Sequence, residues 1–294
     1  VIRGSIDMVC KALVDRACVE CGSGAVSDLF GLLAASRDQR LTTQEARRLL
    51  YEAPFAGDLA APHTRELPPP PSHSLNPSRH TLGGGLMTWG KWVVLRNCVA
   101  ALLAPTGREL LHVPTLSLLH RRFSMYTVER FHKGGVGVEI HARMGLMYRH
   151  LADPEAACTW RAPSQERALL ALTHHFRGAR MADVAAHLLL DLGYVCALIC
   201  LSHGRYLLDQ LQMSIHRGLV ERELSQKILV SLFEMFLWLS RNVSWLSEEG
   251  GTLVFQSAAN QPPTSAPHRL ANLRLIRGYE GSNWLRHINA RHIG

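Results

Sequence analysis

Apolar residues recur at the spacing of one helical turn along most of the chain, which predicts a mainly α protein. In the first 56 residues they predict a helix around Met8–Ala17, a second helix over Ala25–Ser36, and a third helix that runs through Leu50. Thr42 or Thr43 is expected to cap the third helix. We therefore expect a compact helical unit over residues 1–56.

The same periodicity returns over residues 86–154. It predicts helices over Trp89–Ala104 and Thr115–Phe131, a strand-like run between them after Gly107, and a further helix beyond the next glycines. Two helices, a strand-like pair and a further helix are compatible with a winged helix. We therefore interpret residues 1–56 and 86–154 as the first and second parts of a winged-helix-like unit.

The rest of the chain is predicted to form an arm and a connector. Residues 155–246 are expected to form α-helical hairpins that break at Gly178, Gly193 and Gly204. The last helix should carry one apolar stripe made of Leu224, Ile228, Leu232, Phe233, Phe236 and Leu237. Periodicity is lost over residues 247–294, which predicts an extended C-terminal connector.

A segment rich in proline, serine and glycine separates the first two helical stretches. Residues 57–85 include ELPPPPSHSLNPSRHTLGGG, a composition that cannot bury a core and in which proline removes backbone donors. We interpret this segment as an exposed insert or linker. A ligand for an SH3-type module is the alternative, but cations do not flank the prolines in the required places.

Composition suits a protein of about two domains with a sizeable core, because 47% of the 294 residues are hydrophobic. The formal net charge of +8 is carried mostly by scattered arginines. Scattered cations are typical of a solvated surface and indicate nucleic acid only weakly. The chain starts at Val1 rather than at methionine, and we interpret it as a piece of a longer protein.

Seven cysteines without a regular framework are typical of a reducing compartment. Cys196 and Cys200 lie in an apolar helical pattern and are expected to be buried thiols. No amino-terminal signal segment is recognisable, and the longest apolar runs fall short of the roughly 18 to 20 residues that span a bilayer. We therefore expect a cytoplasmic protein without a membrane partner.

Two short motifs come close to known sites. GLMTWGKW resembles a phosphate-binding loop, but Trp92 stands where a hydroxyl would hold magnesium, and no buried strand precedes the motif. Trp89 and Trp92 are instead interpreted as core anchors. CVEC, which contains Cys18 and Cys21, has no partner pair at zinc spacing and is interpreted as two thiols on a helix.

Histidines lie on both sides of a predicted turn in the arm. His174 and His175 precede the turn Gly178-Ala179-Arg180, and His187 follows it. Neighbouring side chains on a helix point about 100° apart, so His174 and His175 are not expected to face one metal. His187 could approach one of them across the hairpin, which leaves a metal-binding enzyme as an alternative. We predict no catalytic residue and no metal site.

Five stretches carry a resemblance that extends over nearly all of the chain. They are DLFGLLAASRDQRLTTQEARRLL, ELLHVPTLSLLHRRF, ALTHHFRGARMADVAAHLLLDLGYVCA, SRNVSWLSEEGGTLVFQSAANQPPTSAP and SNWLRHIN. In this order they resemble the winged-helix and helical-arm region of NACHT–WD40 signal-transduction (STAND) NTPases, the group that includes telomerase-associated proteins. The insert at residues 57–85 and Leu198, where lysine is common, depart from the family pattern.

The resemblance implies a non-catalytic regulatory and scaffold segment that relays nucleotide state to a protein-interaction propeller. Its protein partners would be NTPase and WD40 modules, and an association with ribonucleoproteins is compatible with it. ATP or GTP and magnesium would belong to the full-length family, so this chain would need no cofactor. His112 matches a family histidine that contacts the nucleotide phosphate, whose negative charge would raise the histidine pKa.

Nucleic-acid binding through the winged helix is the alternative function. Arg121, Arg122, Arg143 and Arg149 would supply the contacts to phosphate. A basic recognition helix and interleaved aromatic residues are not evident, so the resemblance favours a winged helix that contacts protein.

Overall fold

A computed structural model describes residues 2–37, 40–51, 89–100, 103, 115–118, 121–132, 135–154, 160, 166–249, 251 and 253–276. These residues contain thirteen helices and one two-stranded sheet, which confirms the prediction of a mainly α fold. The chain divides into two compact units, Val1–Met147 and Tyr148–Gly294. The predicted insert at residues 57–85 lies outside the described residues.

The first unit is built from helices that the apolar periodicity largely predicts. Its helices are α1 (Ile2–Cys21), α2 (Ser23–Ala35), α3 (Thr43–Tyr51), α4 (Trp89–Val99), α5 (Arg121–Phe131) and α6 (Val136–Ala152), whose last residues belong to the second unit. Phe30 on α2 meets Phe123 edge-on at 5.3 Å between ring centroids and stacks on Phe131 at 6.2 Å. These aromatic contacts fix α2 against α5. Trp92 is buried, as predicted for a core anchor.

A reciprocal pair of hydrogen bonds starts α3, as the threonine cap predicts. The backbone N–H of Glu45 donates to Thr42 Oγ1 at 3.0 Å, and the N–H of Thr42 donates to the Glu45 carboxylate at 2.7 Å. This arrangement is a capping box, which satisfies two backbone donors that a helix start otherwise leaves without partners.

The prediction of a helix from Thr115 is wrong over its first residues. Strand β2 (Thr115–Ser117) pairs antiparallel with β1 (Arg40–Thr42), with Leu41 opposite Leu116. The helix α5 begins only at Arg121. Both leucines are buried. A short apolar run such as this one fits a helix and a strand equally well, and pairing with β1 decides for the strand.

The second unit is an array of helices joined by short turns. After the end of α6 it contains α7 (Glu166–Gly178), α8 (Ala182–Leu189), α9 (Leu192–Cys200), α10 (Gly204–Glu221), α11 (Gln226–Glu248), α12 (Val254–Ala259) and α13 (Ala266–Ile276). The predicted breaks at Gly178 and Gly204 are confirmed, because α7 ends and α10 begins at these glycines.

The break predicted at Gly193 lies a few residues earlier, because α8 ends at Leu189 and α9 begins at Leu192, so that Gly193 lies in the first turn of α9. The helix is started two residues earlier by Asp191, whose carboxylate accepts the N–H of Gly193 at 2.7 Å and of Tyr194 at 3.3 Å. Arg274 on α13 donates to the same carboxylate at 3.1 Å. An N-cap aspartate therefore sets this boundary rather than the glycine.

Two glycines allow α10 and α11 to pack closely as an antiparallel hairpin. A Cβ added to Gly204, at the start of α10, would lie 2.3 Å from Val243 Cγ2 near the end of α11. A Cβ added to Gly218, near the end of α10, would lie 2.6 Å from Leu229 Cδ2 near the start of α11. A larger residue at either glycine would require the facing side chain on α11 to move.

Two further predictions for the C-terminal half are wrong. The expected single apolar stripe is divided, because Leu232 is buried whereas Phe233 is 51% exposed and Leu237 is 36% exposed. Residues 254–259 and 266–276 are helical rather than an extended connector. Contacts with α11 hold these two helices: Trp238 donates to Ser257 at 3.1 Å, and the N–H of Ala266 donates to Glu234 at 2.7 Å. Residues 277–294 lie outside the described part.

Among the described residues, no single helix combines the length and the apolar character needed to cross a membrane. Helices α8 and α9 reach that length and composition only when taken together, and a bend of 67° separates them.

Candidate functional site

The predicted turn between α7 and α8 is present and has a defined backbone geometry. The N–H of Met181 donates to the carbonyl of Phe176 at 2.9 Å, and the N–H of Arg180 donates to that of Arg177 at 3.0 Å. Arg180 has a φ of 57°. This pattern is a Schellman ending, in which an arginine occupies the left-handed position that glycine usually takes.

The histidines near this turn lie closer together than a helical projection indicates. His174 and His175 have ring centroids 4.9 Å apart, and their ligand nitrogens approach within 4.8 Å. The argument that adjacent histidines diverge by about 100° is therefore wrong for these rings, because side-chain rotation offsets the backbone angle. His175 is buried and tilts against the ring of Tyr148 at 5.4 Å.

His187 makes a local contact on its own helix. Its Nδ1 lies 2.7 Å from the carbonyl oxygen of Asp183, one turn earlier on α8. This contact orients the imidazole along α8. The absence of a metal at His174, His175 and His187 stays a prediction.

A polar network that the sequence did not reveal joins α7 to α10. Thr173 is fully buried, and its hydroxyl donates to Gln210 Oε1 at 3.1 Å and lies 2.7 Å from the Tyr206 hydroxyl. Arg177 donates to the same Gln210 oxygen and to the Met213 sulfur. Hydrogen bonds buried between two helices fix their register, because sliding either helix would leave polar atoms without partners.

A second polar contact lies nearer the start of α7. His203 Nε2 lies 2.6 Å from the carboxylate of Glu166, so the turn before α10 is also tied to α7. A cleft beside α7 and α10 is lined by Arg177, Ser214 and Arg217. The hydroxyl of Ser214 is buried there without a hydrogen-bond partner. Arg217 is already engaged by Glu221 at 2.9 Å.

Thiols of the first unit lie next to acidic groups. Cys18 and Cys21 lie on α1, as predicted for two thiols on a helix. The Cys98 thiol on α4 lies close to Cys21 and Glu20, and Cys21, burial and Glu20 together raise the pKa of Cys98 to about 12. The sequence offered no signal for this proximity, since Cys98 is distant along the chain.

In the second unit, the surroundings lower the pKa of a thiol. Cys196 and Cys200 were expected to be buried, and this is wrong: Cys196 is half-buried and Cys200 is exposed. Their Sγ atoms lie 3.9 Å apart, and the hydrogen bond with Cys196 lowers the pKa of Cys200 to about 7. The apolar residues around them on α9 face the core, while both thiols lie at its edge, where α9 ends.

The predicted nucleic-acid residues do not form one described site. Arg143 on α6 donates to the backbone carbonyl of Leu49 on α3, so this guanidinium holds two helices of the first unit together. Arg149 is half-buried at the end of α6, while the side chains of Arg121 and Arg122 lie outside the described part. The nucleotide-sensing candidate His112 also lies outside the described residues.

One carboxylate of the first unit has a buried oxygen without a hydrogen-bond partner, which disfavours its charged form. Asp28 on α2 has an Oδ1 atom that is buried without a hydrogen-bond partner. Burial raises its pKa to about 6, although Arg143 acts in the opposite direction.

Comparisons of the chain with protein-family models, with curated proteins and with solved structures found no match. The resemblance to NACHT–WD40 NTPases therefore stays a prediction.

Proposed function

We propose that this chain is a non-catalytic regulatory and scaffold segment of a NACHT–WD40-type signalling NTPase, which relays nucleotide state to a protein-interaction propeller. The observation that carries the proposal is the hairpin array of the second unit. One of the stretches that resemble the family, residues 171–197, covers most of α7, the Schellman turn, α8 and most of α9. Rigid helices that pack against one another can carry a displacement from one module to the next, which is what a relay needs.

The internal contacts of the array support a mechanical role. Buried hydrogen bonds of Thr173 and Gln210 fix α7 on α10, and close packing at Gly204 and Gly218 fixes α10 on α11. A displacement of α7 would therefore carry α10 and α11 with it.

Exposed apolar side chains support a role in protein contact. Val230, Phe233 and Leu237 lie at one-turn spacing on α11 and are 49%, 51% and 36% exposed. Apolar side chains grouped on one helix face are typical of surfaces that bind other proteins. Neighbouring modules of the same signalling protein would be the partners under this proposal.

The primary test is nucleotide binding and hydrolysis by the chain itself. Equilibrium titration with ATP and GTP in the presence of magnesium, followed by a phosphate-release assay, should show neither tight binding nor turnover. Tight ATP binding with turnover that is lost on denaturation would overturn the proposal, since the chain would then be an NTPase itself.

A second test uses the coding sequence on either side of this chain. The proposal expects a phosphate-binding loop upstream and WD40 repeats downstream. With the extended protein in hand, His112→Ala should weaken ADP retention, whereas the matched variant His150→Ala, at an exposed position of α6, should not. Flanking sequence that encodes neither module would contradict the proposal.

Titration with short duplex DNA and RNA tests the alternative function. Binding that weakens steeply as salt rises would support a nucleic-acid role, because phosphate contacts release counterions. The proposed relay segment should show no such binding.

A further inference from the structure

Two thiols and one carbonyl oxygen converge where α9 ends. Cys196 and Cys200 lie one helical turn apart, and their Sγ atoms are separated by 3.9 Å. The Cys196 thiol donates to the carbonyl oxygen of Gly251 at 3.4 Å. Because Cys200 is exposed and Cys196 is half-buried, a solute can reach this cluster.

We propose that this cluster is a binding site for a soft divalent cation, zinc above all, held by the sulfurs of Cys196 and Cys200 and the carbonyl oxygen of Gly251. Thiolates are the ligands that favour zinc over magnesium and calcium. The fourth position of a tetrahedral ion would be open to solvent or to an external ligand.

The two separations that involve Cys196 Sγ are close to those of ligands around a tetrahedral ion. Zinc–sulfur bonds of about 2.3 Å at the tetrahedral angle place two sulfurs about 3.8 Å apart. A zinc–oxygen bond of about 2.1 Å places sulfur and oxygen about 3.6 Å apart. The measured separations are 3.9 Å between the sulfurs and 3.4 Å between Cys196 Sγ and the Gly251 oxygen.

A disulfide fits the same thiols less well. It requires Cβ atoms about 3.5 to 4.5 Å apart and a sulfur–sulfur bond of about 2.05 Å. Residues one turn apart on a helix have Cβ atoms about 5 to 6 Å apart. Disulfide formation would therefore unwind the last turn of α9, whereas a cation bridges the sulfurs where they stand.

Gly251 brings the carbonyl oxygen to the thiols. Its φ is +76°, and an added Cβ would lie 2.6 Å from Cys200 Sγ, so a larger residue could not approach α9 so closely. Its N–H donates to Leu246 at 2.9 Å, and its carbonyl accepts the N–H of Val254 at 3.2 Å. A carbonyl oxygen has two lone pairs, so one remains for the Cys196 thiol or for a cation.

Binding exchanges protons for the metal. One zinc ion and two thiols give a zinc dithiolate and release up to two protons to solvent, and the ion takes the position that the Cys196 thiol proton occupies beside Gly251. Affinity should therefore fall as pH falls.

The test is a cadmium titration of the reduced full chain, since cadmium–thiolate bonds absorb in the near ultraviolet. With a phosphine reductant present, wild-type protein should bind cadmium with the charge-transfer absorption of two thiolates, and zinc should displace it. Cys196→Ser and Cys200→Ser should each weaken this binding at least about tenfold, because each removes one of the two thiolates.

The double variant Cys18→Ser/Cys21→Ser is the matched control, since it removes two of the three thiols on α1 and leaves Cys196 and Cys200 in place. It should keep the signal, and far-UV circular dichroism should show all variants folded. Equal cadmium binding by wild type and Cys200→Ser would overturn the proposal. So would wild-type protein that binds no cadmium when reduced but loses two hydrogens on exposure to air, because the pair would then form a disulfide.

Discussion

The two units differ in how the surroundings of acidic side chains shift their pKa values. In the first unit, burial raises the pKa of Asp28 to about 6, and Cys21 and Glu20 raise that of Cys98 to about 12. In the second unit, Cys196 lowers the pKa of Cys200 to about 7. Asp191 there accepts two backbone N–H groups and one guanidinium N–H. For Asp28, Cys98 and Cys200, the surroundings of the group decide the direction in which its pKa moves.

The largest expected effect is on thiol reactivity at neutral pH in metal-free protein. At pH 7 a thiol of pKa about 7 is half thiolate, whereas one of pKa about 12 is thiolate in about one molecule in 100,000. The Cys200 thiolate is intrinsically less nucleophilic than the Cys98 thiolate because its pKa is lower, and this offsets part of the difference in thiolate fraction. Cys200 should therefore be alkylated at least about 100 times faster than Cys98. Peptide mass spectrometry after timed iodoacetamide treatment measures both rates. Rates that agree within about threefold would show that the pKa values of the two thiols do not differ as described.

Substitution of Gly251 should weaken the second unit. Gly251→Ala places a methyl group against Cys200 Sγ and keeps a positive φ, so it should destabilise the protein by about 1–3 kcal/mol in urea unfolding. The matched control is Gly90→Ala on α4, where an added Cβ meets nothing within 4 Å. This control should be neutral or gain up to about 1 kcal/mol. Adding Cys200→Ala to Gly251→Ala should recover part of the lost stability. If it recovers none, the contact between the new methyl group and Cys200 Sγ is not the cause of the destabilisation.

Asp28→Asn should stabilise the first unit at neutral pH. Because the folded pKa of Asp28 is raised above its unfolded value, its contribution to stability is fully present below about pH 4 and is lost as pH rises through about 6. An amide mimics the protonated acid, so the gain should be up to about 3 kcal/mol at pH 7 and close to zero at pH 3. Unfolding free energies at the two pH values check this, and an equal gain at both would exclude the charge as its cause.

Removal of the Asp191 cap should give the smallest loss. Asp191→Ala leaves the first turn of α9 without its side-chain acceptor and leaves Arg274 without this carboxylate, at a cost of about 1 kcal/mol. Asp191→Asn keeps a capping oxygen and should cost less. If Asn were as harmful as Ala, the ion pair with Arg274 rather than the cap would carry the contribution.

Periodicity predicted most helices, and the errors lie where a distant contact decides the local structure. Thr115–Ser117 becomes a strand because β1 offers it a partner, and the sequence around Thr115 carries no record of that partner. Residues 266–276 form a helix whose start is fixed by Glu234 on α11. Short elements that depend on such contacts have too few turns to show a period of their own.

The chemistry of the thiols was harder to predict than the helices that carry them. Cys200 follows an apolar run, so its exposure depends on which side of α9 faces the core at the last residue of the helix. Cys98 meets Cys21 only because α4 packs on α1. The pKa of Cys98 is raised by Cys21, a residue that the sequence does not show to be its neighbour, whereas the pKa of Cys200 is lowered by Cys196, one turn earlier on the same helix.

The glycines at the two ends of α10 have a mechanical consequence. Because the side chains of Val243 and Leu229 occupy the space beside Gly204 and Gly218, α10 and α11 interlock at both ends. Sliding one helix along the other would place these side chains against residues other than glycine, where a Cβ takes up the space. The hairpin of α10 and α11 is therefore expected to move as one rigid body rather than by sliding of one helix along the other.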